Sequence, residues 1–316
     1  MSNENDFPSF LHVTAHLEER TMKMARRTFG FILLLSMFSF LTGFSAEEKE
    51  LKATYLWQTT LIATEPDQIL TFAKEQGVNL LYLKIDITRK ASYYQSFIKK
   101  ASEAGVKVQA LGGLASWGLE QNRPKIMAFV DWVIAYNKSA ADTEKISGVH
   151  FDIEPYVMPE WKTAEQASIM RQWMGNVEAY IERAQLDPTL EIGCDIPFWL
   201  DKTYLPDDST TTISEWLISK HDQITVMAYR DRADGSNSIS SLVPQELNWA
   251  DQLGKKALVA VETKESSEGN FVTFYEEGKT YMNAELSKLP SLLSPHPAYV
   301  GTAIHSYEYW KPLKEK

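Results

Sequence analysis

Cysteine is almost absent: Cys194 is the only one in 316 residues. A single thiol excludes an intrachain disulfide framework and a cysteine-based zinc cluster. Histidine is scarce, and beyond residue 46 only His150, His221, His296 and His305 remain. Basic residues are outnumbered, 32 Lys and Arg against 42 Asp and Glu, and they form no long tract. A net charge of −10 therefore argues against nucleic acid or an anionic membrane as partner. No Gly-x-Gly-x-x-Gly follows the first strand-like run, so a dinucleotide fold lacks its signature, and no cofactor is expected. No repeat of solenoid length is present.

Long apolar runs are also missing, with one exception. Lys23, Arg26 and Arg27 precede an apolar stretch from Phe29 to Leu41; small residues follow at Gly43, Ser45 and Ala46, and then the acidic start Glu47-Glu48. Basic, apolar, small, polar is the order of a secretory signal peptide. The stretch falls short of the roughly 20 residues of a transmembrane helix, and an uncleaved anchor is the alternative. Residues 1–21 are polar and unlike a signal n-region, so the expected translation start is Met22 or Met24. The expected organisation is an N-terminal extension and signal peptide over 1–46, then one domain over 47–316, exported and without stable membrane insertion.

What the chain does have is alternation. Period-2 apolar runs predict strands at 51–58, 79–86, 106–111, 147–155, 190–197, 223–229, 256–262 and 299–305. Helical patterns separate them at 66–76, 93–104, 124–136, 164–184, 214–221, 244–253 and 281–292, several closed by a glycine such as Gly77, Gly105 or Gly254. Strict β-α alternation implies a parallel sheet with right-handed crossovers. Eight such units in about 270 residues predict a single (β/α)₈ TIM barrel, an α/β fold of typically about 250 residues.

The run Ser147-Gly-Val-His-Phe-Asp-Ile-Glu-Pro155 concentrates the chemistry. Val149, Phe151 and Ile153 share one face; His150, Asp152 and Glu154 share the other. In a barrel of this kind the site lies at the C-terminal strand ends. Asp86, Asp152, Glu154, Asp195, Tyr229, Glu262 and His305 all fall there on inward phases, with Lys84 beside them. Converging carboxylates repel, so at least one proton is expected to stay bound near neutral pH, as a general acid requires. Trp57, Trp117, Trp161, Trp199 and Trp310 fall at or beyond the same ends. Indole faces beside carboxylates fit a carbohydrate cleft, so the expected partner is a glycan.

The reaction that uses carboxylates on sugars is glycoside hydrolysis. Ser147–Glu154 resembles the fourth-strand signature D-G-x-D-x-D-x-E of glycoside hydrolase family 18, the chitinase-like enzymes. Gly148, Asp152 and Glu154 match, while Ser147 and His150 replace two Asp. The resemblance implies that Glu154 is the acid, and that Asp152 positions a substrate acetamido group, which attacks in place of a protein nucleophile. Met227-Ala-Tyr229-Arg-Asp231 resembles the sixth-strand Met-x-Tyr-Asp of that family, with Arg230 inserted before Asp231. Tyr229 would then hold the acetamido carbonyl. The eighth-strand Trp of the family falls near His305, and Trp310 is a potential replacement.

Glu154-Pro155 with Glu262 also resembles the retaining barrel glycosidases, with Ile153 where their Asn stands. There Glu154 would be acid/base and Glu262 nucleophile. The expected catalytic residues are therefore Glu154, Asp152, Tyr229 and Glu262, and the substrate-binding ones Asp86, Asp195, His305, Trp57, Trp199 and Trp310. A non-catalytic glycan-binding barrel and a metal site on His150, Asp152, Glu154, Asp195 and His305 remain as alternatives. His150 is read as a hydrogen-bonded support for Asp152.

Overall fold

The computed structural model describes residues 50–316; the signal-peptide reading lies outside them. Eight parallel strands close into a barrel. They are β1 (Leu51–Leu56), β2 (Leu80–Lys84), β3 (Lys107–Gly112), β4 (Gly148–Phe151) and β5 (Glu191–Pro197), then β8 (Gln223–Met227), β9 (Lys256–Glu262) and β10 (Tyr299–His305). Between β5 and β8 an antiparallel pair, β6 (Tyr204–Leu205) and β7 (Asp208–Thr212), forms a hairpin that the apolar alternation does not reveal, because β6 is only two residues long and β7 is polar. The barrel order is β1-β10-β9-β8-β5-β4-β3-β2, each strand beside its neighbour in the barrel sequence as right-handed crossovers require.

The helices follow the amphipathic stretches. Pro66–Gln76 starts with Pro in its first turn and ends at Gly77, whose φ of 72° suits the left-handed cap. Pro244–Leu253 ends likewise at Gly254. The expected helix over 281–292 is two pieces, Lys279–Leu286 and Leu289–Leu292. Pro290, inside the expected span, cannot donate the backbone bond that would continue one helix, and it sits in the first turn of the second piece.

Period 2 sorts the side chains into two cores. Leu81, Leu83, Val149, Phe151, Ile192, Cys194, Val259 and Val261 face the helices. Ala53, Tyr55, Tyr82, Leu111, Leu258, Ala260 and Ala303 fill the barrel interior. The inward face of β4 carries His150, and the ladder ends at Phe151, so Asp152 and Glu154 stand beyond it. Gly113 makes that possible. It adopts φ 156°, and a Cβ there would lie 1.9 Å from the Asp152 carbonyl oxygen. The Asp152 N–H in turn donates to the Gly112 carbonyl at 2.9 Å. Among the described residues, no helix is long and apolar enough to cross a membrane.

Candidate active site

The mouth of the barrel is built on a buried floor. Asp195, from β5, accepts hydrogen bonds from Tyr55 of β1 and from His150 of β4, the latter with Nε2 to Oδ2 at 3.0 Å. The His150 ring stacks on Tyr82 with centroids 3.8 Å apart. His150 thus supports Asp195, not Asp152. The physical reason is register: His150 pairs with Gly193, and the absent side chain opens the way to the neighbouring strand.

Above this floor stand Asp152 and Glu154. Each carboxyl shifts the titration of the other. Burial, then the charges of Asp195 and Glu154, push the Asp152 carboxyl well above the ordinary range; Lys84 opposes this. Burial also raises Glu154, against the Tyr156 hydroxyl, which donates to its Oε2 at 2.8 Å and favours the ionised form. One Asp152 oxygen is buried without a protein partner. Both shifts favour a proton held on the pair.

Glu262 ends β9 across the mouth. Its Oε1 accepts from the backbone N–H groups of Thr263 and Lys264, at 2.7 and 2.8 Å. Its Oε2 meets His305 Nδ1 at 2.9 Å, and His305 Nε2 accepts from the Trp57 indole at 2.9 Å. The indole can only donate, so in this arrangement His305 carries its proton on Nδ1. Tyr229 is two residues beyond the β8 ladder on the inward phase. Burial foremost, then the charges of Glu262, Asp195 and Asp152, hold its hydroxyl well above the usual tyrosine range, so it stays a neutral donor.

Glu154, Tyr156, Trp199, Tyr229, Arg230 and Glu262 line one cavity of about 920 Å³, a volume suited to a small-molecule or oligosaccharide site. Trp199 is 40% exposed there and packs edge-on against Tyr156. Trp161 lines the same cavity, its ring near Tyr156.

Three expected rim residues lie elsewhere. Asp86 turns outward: its carboxylate accepts from Thr88 and pairs with Arg89 at 3.4 Å, in solvent. The β2 ladder ends at Lys84, so alternation no longer governs where Asp86 points. Trp310 is wholly buried against Phe72, with the Lys52 ammonium over its ring, and belongs to the core between barrel and helices. Trp117 packs on Phe129 in the same layer. Two residues that matter were not singled out in the sequence. Tyr55 shares the inward phase of Trp57, a signal present in the alternation. Tyr156 follows Pro155 in a short 3₁₀ turn, which no periodicity announces. Among the described residues, no group of three or more His, Cys, Asp or Glu could hold a metal ion.

This is a (β/α)₈ barrel whose mouth is lined by carboxylates and aromatic rings. The sequence matches no family profile and no curated protein. Among solved structures it is similar to fungal β-1,4-galactanases, with a TM-score of 0.55 at 11% identity over 82% of this chain and 90% of that one. A family 18 chitinase from Pseudoalteromonas aurantia gives 0.50 at 11%, over 81% and 94%. A β-mannanase from the blue mussel Mytilus edulis gives 0.51 at 10%, over 82% and 87%. At such identities the likeness is one of fold, shared by enzymes that act on different glycans.

Proposed function

We propose that the protein is an exported glycoside hydrolase in which Glu154 protonates the leaving glycosidic oxygen. The observation that carries this reading is the Glu154 carboxyl, which lines a cavity of about 920 Å³, accepts from the Tyr156 hydroxyl and, like its neighbour Asp152, is raised by burial. In the mechanism this favours, the carbonyl oxygen of a substrate 2-acetamido group attacks the anomeric carbon as the glycosidic bond breaks. The proton held by the pair passes from Asp152 to Glu154 and from Glu154 to the departing oxygen, leaving Asp152 as a carboxylate that accepts a hydrogen bond from the acetamide N–H. The Tyr229 hydroxyl donates to the acetamido oxygen. Water then opens the cyclic intermediate, with Glu154, now ionised, accepting its proton.

A second reading has Glu262 as nucleophile. It is favoured by Glu262 lining the same cavity, oriented by two backbone N–H groups and His305. A mechanism-based 2-deoxy-2-fluoroglycoside separates the two, because covalent label on Glu262 supports the second and excludes the first.

The test of the whole reading is Glu154→Gln on a panel of defined glycans. Loss of a general acid costs about 10²- to 10⁴-fold in kcat. A variant that cleaves as fast as the parent removes Glu154 from the mechanism. If neither protein cleaves but both bind, the barrel is a glycan-binding module. For export, N-terminal sequencing of the secreted form, with cleavage near Ala46, is the corresponding check.

A further inference from the structure

One wall of the cavity holds an arginine that the carboxylate chemistry does not use. Arg230 follows Tyr229 and lines the cavity with Lys162 and Lys264. Its guanidinium lies 5.2 Å from the Phe198 ring and 5.3 Å from that of Phe271. Nε donates to Asn237 Oδ1 at 2.8 Å, and Nη1 to the Tyr229 carbonyl at 2.6 Å. Asn237 presents that oxygen from a left-handed turn, φ 53°. A long side chain is thus held in one orientation by two rings and two neutral acceptors.

What it lacks is an anion. Among the described residues, Arg230, Lys162 and Lys264 make no ion pair, although many surface Lys and Arg do. Among the described residues, Arg230 Nη2 makes no hydrogen bond. Partial burial works against its charge, offset in part by Asp231 and Glu268 at longer range. A guanidinium oriented beforehand, with donors to spare, is the arrangement that recognises a planar oxyanion. Glu265 and Glu268 line the same wall. With Glu154 and Glu262 they leave the cavity without an excess of positive charge, so selection of an anion would rest on the placement of the guanidinium.

We propose that Arg230 is the specificity-determining residue for a carboxylate on the glycan, with Lys264 and Lys162 assisting. The carboxylate belongs to a uronic acid or to an ether-linked carboxylic substituent, on a sugar unit next to the one held by Asp152 and Tyr229. This rests on the glycosidase reading for the position of the sugar, but not on cleavage.

The test is calorimetric binding to the full chain carrying Glu154→Gln, which prevents turnover. The probes are a hyaluronan hexasaccharide, trigalacturonate and a tetrasaccharide containing N-acetylmuramic acid, each beside its carboxyl-reduced counterpart. At least one carboxylated probe is expected to bind about 10- to 100-fold more tightly than its reduced twin, the range for a hydrogen-bonded charge pair. Arg230→Gln removes the difference, and Arg230→Lys restores part of it, because an ammonium lacks the planar fork.

Equal affinity within every pair, or no binding of any carboxylated probe, overturns the proposal. So does a preference that survives Arg230→Gln in a variant with unchanged thermal unfolding. The comparison of twins on one protein stands even if an Arg230 variant fails to fold. Carboxylate preference without cleavage by the parent chain sinks the glycosidase reading alone; cleavage without preference sinks this one alone.

Discussion

His150 Nε2 lies 3.0 Å from Asp195 Oδ2, with the two side chains 0% and 2% exposed. Gly193 leaves the room for it, since a Cβ there would stand 2.9 Å from His150 Nδ1. Tyr55 occupies the other Asp195 oxygen. Asp195 is therefore buried under the mouth with both oxygens hydrogen-bonded, and its effect on the carboxyls above it is electrostatic. It helps keep the proton on Asp152 and Glu154.

Two substitutions should move the pH dependence of kcat/KM in opposite directions. A general acid acts only while protonated, so activity falls as pH rises through the raised titration of the Asp152–Glu154 pair. Asp195→Asn removes a charge that raises both carboxyls, so the alkaline limb moves to lower pH. Tyr156→Phe removes a hydroxyl that favours ionised Glu154, so the limb moves to higher pH, while kcat/KM drops about tenfold from lost orientation. Profiles measured across the limb decide this, and shifts of the same sign would refute the assignment of the acid.

His305 should report the bonds on its two nitrogens. Burial disfavours its charged form, but the hydrogen bond and charge of Glu262, with Asp195 and Glu308, carry it above the usual histidine range. Trp57 donates to Nε2 and so favours the neutral ring. In NMR titrations Trp57→Phe is expected to move His305 to higher pH and Glu262→Gln to lower pH.

Glu246 makes stability pH-dependent away from the mouth. It is fully buried in the first turn of the helix Pro244–Leu253, both carboxyl oxygens without partner, and burial aided by Asp201 raises it to about 8. The folded state then holds a proton that the unfolded chain releases near 4.5. Folding stability is thus fully present below that value and declines as pH rises toward about 8. Glu246→Gln, which mimics the protonated acid, should gain about 1–3 kcal/mol at alkaline pH and little at pH ~5. Denaturant unfolding at the two pH values tests this.

Trp310 and Trp199 should separate stability from binding. Trp310→Ala empties a core site and should cost about 3–5 kcal/mol. Trp199→Ala, at a 40% exposed cavity wall, should leave unfolding within about 1 kcal/mol and weaken glycan binding. Calorimetry and denaturant unfolding on both variants suffice. Equal stability losses would mean that Trp199 is a loop anchor.

The order of the elements was legible in the sequence because the outward face of each strand packs on helices while the inward face carries polar and aromatic groups, and side chains alternate between the two. That is why β9 and β10 have the bounds that alternation predicts, while Pro244 and Gly254 mark the ends of the helix Pro244–Leu253. The same period places His150, Asp195, Glu262 and His305 inward. Alternation holds only while the ladder holds. Where β2 stops at Lys84, Asp86 is free to turn to solvent. Trp310 follows β10 on a short helix, Tyr307–Trp310, and its large ring was drawn into the layer beneath the helices. By itself the chain determined the barrel and which strand ends carry carboxylates. Only the closed barrel decided which of those groups touch, since strand register brought His150 to Asp195 and Trp57 to His305 across long stretches of sequence.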